Sequence, residues 1–168
     1  FDNMKGFAIA NGFDEVHDRE KFGSSTQGNM WGVYDEYIFD YAASILQDSE
    51  NPNFLTLFTT TNHQPWQIPP EKESVISKFE QLGTEAPHVL RTMAYTDDCI
   101  GEFLQNNDQM KWMKNTLFIF IADHGLNVFQ DQFEDPRNAH IPLLIYAPWL
   151  VTDPQVITLP ASQVDVAT

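Results

Sequence analysis

The 168-residue chain carries 24 acidic against 9 basic residues, a formal charge of −15. Such a field repels phosphate backbones and offers no electrostatic hold on an anionic membrane, so nucleic acid is not an expected partner. A hydrophobic content of 42%, with 13 Phe and 4 Trp, sets disorder aside and suffices for one domain or most of one.

The single Cys99 rules out an intrachain disulfide. No signal-peptide pattern and no apolar run of bilayer length is present. The chain opens on Phe1 without a Met and stops at residues 164–168 on no terminating feature. It therefore reads as an excised piece of a longer protein.

Residues 4–12 have the composition of a short helix stopped by Asn11-Gly12. Residues 13–16 suit a short strand, and 23–28 a flexible loop. His17, amid Asp18, Arg19 and Glu20, reads as a solvated surface histidine. Residues 31–47 show a helical period through Tyr34, Ile38, Tyr41 and Ile45, widened by Tyr37, Phe39 and Leu46. Trp31-Gly32 before that helix would anchor its start to the core, or line a pocket.

Residues 54–60, rich in β-branched and aromatic side chains, predict a strand. It ends in a polar cluster, Thr61-Asn62-His63-Gln64-Pro65-Trp66. Two readings of His63 stand level: a contact to an anionic substrate or a proton donor to its leaving group, or a turn residue whose neighbours satisfy backbone groups. A short amphipathic turn follows through Val75, Ile76, Phe79 and Leu82. A long helix then starts near Pro87, with Leu90, Met93, Ala94, Ile100 and Leu104 on its expected core face. His88 and Cys99 read as structural or surface positions. Asp97-Asp98, adjacent acids within a helix, are expected to face solvent.

Residues 116–121 are apolar or β-branched without alternation, the pattern of a strand buried on both faces of a parallel sheet. The run stops in Ala122-Asp123-His124-Gly125. A carboxylate and an imidazole at a buried strand's end are costly to desolvate without a partner, and in open α/β sheets ligands bind at the carboxyl ends of strands. Asp123 and His124 therefore read either as ligands of a divalent ion, such as zinc or manganese, or as a strand-end Asp capping a following helix beside a half-buried His. Gly125 allows a sharp turn and close approach to an ion.

A polar loop over 126–139 leads to a third apolar strand within 140–148, with Pro142 near its start. In a parallel sheet His140 would lie at the opposite end from Asp123, which counts against it as a ligand. A short strand over 156–159 and a helix capped by Ser162 close the chain. Long helical crossovers between buried strands predict an α/β fold, a mostly parallel sheet flanked by helices. No GxGxxG or GxxxxGK[ST] phosphate loop is present.

Six segments together resemble one family, the sulfatase-like phosphoglycerol transferases of the alkaline phosphatase superfamily, the lipoteichoic acid synthase-like proteins among them. They are Trp31-Gly-Val-Tyr-Asp-Glu36, the 54–66 run ending Thr61-Asn62-His63-Gln64-Pro65-Trp66, Ala94-Tyr-Thr-Asp-Asp98, the 115–125 run ending Asp123-His124-Gly125, the 141–148 run, and Gln163-Val-Asp-Val166. They fall in the family's order across nearly the whole chain. Strand-Asp-His-Gly is shared across the superfamily; Thr-Asn-His-x-Pro-aromatic is more particular to the transferase branch.

The resemblance implies that residues 1–168 are the C-terminal part of a single sulfatase-like catalytic domain. It implies Asp123 and His124 as ligands of one divalent metal, manganese first, with magnesium or zinc as alternatives. It implies His63 as a contact to the phosphate or glycerol of a phospholipid headgroup. His140 is carried as a further substrate or second-metal contact.

The family's nucleophile is a Thr that forms a phospho-threonine intermediate as diacylglycerol leaves. That Thr and a metal-binding Glu fall upstream of this chain, so no catalytic nucleophile is expected within it, and the piece alone should be inactive. The family's members are anchored by N-terminal transmembrane helices and work outside the cytoplasmic membrane. One departure stands out: the branch has Phe-Trp-Asn-Arg where this chain has Phe1-Asp2-Asn3-Met4. The Trp and Arg that help hold glycerol phosphate are missing, which leaves headgroup and acceptor open. A sulfatase or phosphodiesterase-type hydrolase, or a catalytically incomplete binding module, are the alternative readings.

Overall fold

The structure, a computed structural model, describes residues 3–76, 87–125 and 136–167. It comprises two compact units, Phe1–Gln109 and Met110–Thr168. The expected amphipathic turn over 75–82 lies mostly outside the described residues, as does most of the loop expected over 126–139.

In the first unit, helix α1 (Met4–Ala10) stops where the Asn-Gly pair says it should. The Asn11 side-chain amide donates to the Phe7 carbonyl at 2.8 Å, and Gly12 has φ +95°, a conformation only glycine adopts without cost. No strand forms over 13–16. Helix α2 (Asp35–Asp48) starts four residues later than the periodicity predicts. The delay has a local cause. The Asn29 Oδ1 accepts the N–H groups of Trp31 (2.8 Å) and Gly32 (3.2 Å), holding these residues in a side-chain-capped turn. Gly28 bridges Val33 across it.

Helix α4 (Pro87–Asn106) opens with proline in its first turn, as expected. Between α2 and α4 lies the short helix α3 (Glu73–Ile76), tied to α4 by an Arg91–Glu73 ion pair. The face α4 buries is Thr92, Tyr95, Cys99 and Phe103, next to the predicted stripe; Met93 is exposed. These four recur at three- and four-residue steps, so the period was right and the face was displaced. The aromatic residues decide it: Phe103 lies 5.3 Å from Phe39 of α2, and Tyr95 meets Tyr34 edge-on at 6.3 Å. Each buried ring contributes roughly 1.5–3 kcal/mol.

Lys72, on a 3-10 turn (Pro70–Lys72), clips the pair together. Its ammonium donates to Glu102 at 3.1 Å and lies 3.8 Å from Glu36 and 3.9 Å from Asp98. Burial works against its charge, but these three carboxylates prevail and hold it above the usual lysine range. Asp97 is exposed as expected, while Asp98 faces this lysine. His17 is not the solvated residue its neighbours imply: its ring nitrogens meet the Tyr41 hydroxyl and the Glu15 carboxylate, both at 2.8 Å.

Residues 54–60 form no ladder among the described residues, contrary to the predicted strand, and Phe54 is 84% exposed.

In the second unit, a 3-10 turn (Trp112–Asn115) feeds β1 (Phe118–Ile121). The Thr116 hydroxyl donates to the Trp112 carbonyl at 2.6 Å and the Trp149 indole N–H to the Thr116 carbonyl at 2.9 Å, fixing the strand's entry. β2 (Leu143–Tyr146) pairs with β1 antiparallel, Phe118 opposite Tyr146 and Ile121 opposite Leu143. Helices with a sheet make the chain α/β, as expected, but this pair runs antiparallel. An antiparallel neighbour within an otherwise parallel sheet is common in α/β folds. β1 alternates half-buried and exposed residues and, among the described residues, is not covered on both faces. Residues 156–159 form no strand and are exposed. The closing 3-10 turn (Gln163–Ala167) is capped by Asp165, whose carboxylate accepts the Ser162 N–H at 2.6 Å; the expected cap was the Ser162 side chain.

Candidate functional site

The corner after β1 holds Asp123 and His124 in complementary states of use. Asp123 Oδ1 accepts the His124 backbone N–H at 2.8 Å. His124 Nδ1 lies 2.9 Å from the Gly125 carbonyl. A carbonyl only accepts, so Nδ1 carries the proton and Nε2 is left with its lone pair. The remaining atoms, Asp123 Oδ2 and His124 Nε2, stand 3.6 Å apart.

Both side chains are exposed. An ion about 2.1 Å from each donor fits between atoms so spaced, and an imidazole whose other nitrogen is tied to a carbonyl is the usual form of a metal-binding histidine. The donor pair thus fits a divalent cation. Among the described residues no group of three or more His, Cys, Asp or Glu assembles, so those residues supply a two-donor corner.

Two features hold the corner: Gln163, whose contact to it no sequence pattern indicated, and Gly125, from which a close approach is expected. The Gln163 side-chain amide donates to the carbonyls of Ala122 (2.7 Å) and Asp123 (2.9 Å). Gly125 packs so tightly that a Cβ would overlap the Asn138 carbonyl oxygen and lie 3.5 Å from that of His140. The close approach expected of Gly125 is therefore to backbone. It also corrects the placement of His140. Because β2 runs antiparallel, the segment entering it lies at the Asp123 end of β1, and His140 is exposed there.

His63 lies in the other unit, on a turn of its own. Its N–H donates to the Thr60 carbonyl (3.3 Å), and Trp66 N–H donates back to the His63 carbonyl (3.0 Å). Nδ1 sits 3.1 Å from the Gln64 carbonyl, so again Nδ1 holds the proton and Nε2 is presented outward on an exposed ring. The Trp31 ring packs on the imidazole, centroids 3.9 Å apart and planes at 49°, and its indole N–H donates to the Gln64 carbonyl at 2.5 Å. Of the two readings of Trp31, the contact observed is to the His63 ring at the turn after residue 60. The Trp-Gly pair thirty residues ahead of Thr-Asn-His was the available signal.

Comparison with known proteins gives these residues a context. The sulfatase family model matches residues 1–168. The lipoteichoic acid synthase-like protein YvgJ of Bacillus subtilis is 25% identical over 92% of this chain and 28% of its own. Phosphoglycerol transferase I of Xanthomonas axonopodis pv. citri is 26% identical over 95% of this chain and 23% of its own. The chain thus spans about a quarter of the length of these relatives. Among solved structures, a protein of the alkaline phosphatase superfamily from Vibrio parahaemolyticus superposes with a TM-score of 0.73 at 31% identity, over 88% of this chain and 35% of that one. A strand-end Asp-His-Gly corner in an α/β chain matched from first residue to last has one family explanation: the chain belongs to the sulfatase family of enzymes, within the alkaline phosphatase superfamily.

Proposed function

We propose that residues 1–168 are part of a single sulfatase-like catalytic domain that transfers a phosphoglycerol-type headgroup from a phospholipid to an acceptor. The observation that carries this reading is the Asp123 Oδ2–His124 Nε2 pair, 3.6 Å apart with each partner atom tied to backbone. The relatives' names, lipoteichoic acid synthase-like protein and phosphoglycerol transferase, give the chemistry its class.

Asp123 and His124 would hold one divalent cation, manganese before magnesium or zinc. Such an ion supplies charge neutralisation on phosphoryl oxygens and lowers the pKa of an attacking hydroxyl. The hydroxyl belongs to a Thr outside this chain, which takes the phosphoryl group as phospho-threonine while the diacylglycerol oxygen leaves. His63 presents Nε2 to the headgroup and hydrogen-bonds its phosphate or glycerol, with Trp31 covering one face of the ring. His140 is a weaker contact at the Asp123 end of β1.

We place the complete protein in the cytoplasmic membrane with this domain on the outer side. Among the described residues no helix is long and apolar enough to cross a membrane, so the anchor would be contributed from beyond them. A second reading, hydrolysis with water as acceptor, is favoured by Asp2 and Met4 at positions where the transferase branch carries Trp and Arg.

The test uses the full-length protein, metal analysis, and release of diacylglycerol from vesicles bearing a phosphoglycerol headgroup. Asp123→Ala and His124→Ala each lose the metal and about a hundredfold or more in turnover. His63→Ala keeps the metal and loses about a hundredfold in turnover. Metal and activity surviving both corner substitutions would refute the ligand assignment; loss of metal in His63→Ala would make His63 a ligand. Free glycerol phosphate as the product, without acceptor, would establish the hydrolase.

A further inference from the structure

Asp35, the first residue of α2, is fully buried. An acid in a helix's first turn ordinarily serves its own helix, by capping or by facing the positive end of the dipole. This one reaches away from it. Oδ1 accepts the backbone N–H groups of Thr60 and Thr61, both at 3.2 Å, and the Thr61 hydroxyl at 2.7 Å. Oδ2 accepts the Thr96 hydroxyl from α4 at 2.7 Å. Thr96 Oγ1 in turn accepts the Asn62 side-chain amide at 3.0 Å.

One carboxylate therefore fixes, directly or through Thr96, the three consecutive residues that precede His63. Thr60 adds a fourth link, since its carbonyl accepts the His63 N–H. Thr61 is fully buried as well. Charge-assisted bonds to a buried carboxylate are stronger than neutral ones, and removing the acceptor leaves buried donors unsatisfied.

We propose that Asp35 is a positioning residue for His63: it sets the turn that aims Nε2 outward and lays the imidazole against the Trp31 ring. This rests on the substrate role proposed for His63. Displacing a substrate-orienting group by about an ångström costs up to about a hundredfold in rate, so Asp35 should matter to turnover without touching substrate.

The test is a double-mutant cycle in the full-length protein, with the His63 ring resonance read by NMR and identified by its absence in His63→Ala. Asp35→Asn keeps the shape but turns one acceptor into a donor. It shifts the His63 ring resonance and lowers diacylglycerol release by about ten- to hundredfold. On the His63→Ala background the same change costs less than about twofold. Thr96→Val cuts the Oδ2 branch alone and gives a smaller loss with the same dependence on His63, which keeps the proposal testable if Asp35→Asn folds poorly. An equal fold-loss on both backgrounds means the carboxylate supports the fold at large and overturns the proposal. An unmoved His63 resonance in Asp35→Asn overturns it too, whatever the activity. Full activity in His63→Ala would instead refute the substrate role, while the resonance still reports on the anchoring.

Discussion

Cys99 lies against Tyr95 on the buried face of α4, and that placement sets its chemistry. Burial, against the lesser opposing effect of the Tyr95 hydroxyl, pushes the thiol from about 9 up to about 12. Raising an acid's pKa in the folded state gives stability that is present below the unfolded value and lost as pH rises toward the folded one. Stability should therefore fall between about pH 9 and 12, where the unfolded chain ionises Cys99 and the folded one does not. Urea midpoints of the wild type and of Cys99→Ala, measured at about pH 8 and pH 11, check this. The variant is less stable at the lower pH but loses less on going to the higher. Tyr95 and Lys72, both raised as well, leave the variant some of the slope. Identical losses in the two proteins would mean that Cys99 does not contribute.

The proposed site residues differed in how far their own neighbourhood announced them. Asp123 and His124 were legible because an apolar strand that stops on a carboxylate and an imidazole is anomalous in itself. Asp35 was not, since Asp-Glu at a helix start looks like ordinary complement to the dipole. Its partners lie 25, 26 and 61 residues away in sequence, beyond any local pattern.

Among the elements, periods were easier to read than faces or directions. The helix over 87–106 was predicted with the right spacing, but which of two adjacent stripes it buries depends on rings supplied by α2. Strand direction was harder still. The β1 and β2 sequences carry no mark of it, and the antiparallel pairing is what brings the His140 segment to the Asp123 corner.

Gly125 is where these elements meet, and a substitution there tests the corner without altering either proposed ligand. A Cβ at Gly125 would overlap the Asn138 carbonyl oxygen, which is backbone and has little freedom to yield. Gly125→Ala in the full-length protein should destabilise it by roughly 1–3 kcal/mol, the usual cost of overpacking. It should also lower metal retention, although Asp123 and His124 remain. Thermal melting with metal analysis of the same sample decides it; an unchanged melting temperature with full metal content would mean the corner does not depend on this packing.

For the molecule as a whole, two large opposing features determine how the 168-residue chain behaves in solution. Ile119 and Ile121 are each 42% exposed and Ile145 is 53% exposed, all on the aliphatic face of the β1–β2 ribbon, while Phe54 and Phe58 are exposed on the 54–60 segment, which forms no ladder among the described residues. Unpaired strand-like segments with apolar side chains are templates for association, and apolar patches of this kind bind other apolar surfaces. Against this stands a net charge of −15, whose mutual repulsion keeps copies apart. The balance is set by salt, because exposed charges are screened over about 10 Å at 0.1 M and about 3 Å at 1 M while apolar attraction is not weakened. Light scattering of the purified 168-residue chain should therefore show a mass that rises severalfold between low salt and about 0.5 M sodium chloride, with binding of an apolar fluorescent dye at both. Ile119→Lys should reduce both signals, by placing a charge in the centre of the aliphatic face. A chain that stays monomeric and dye-free across that range would mean that these side chains find cover within the chain itself.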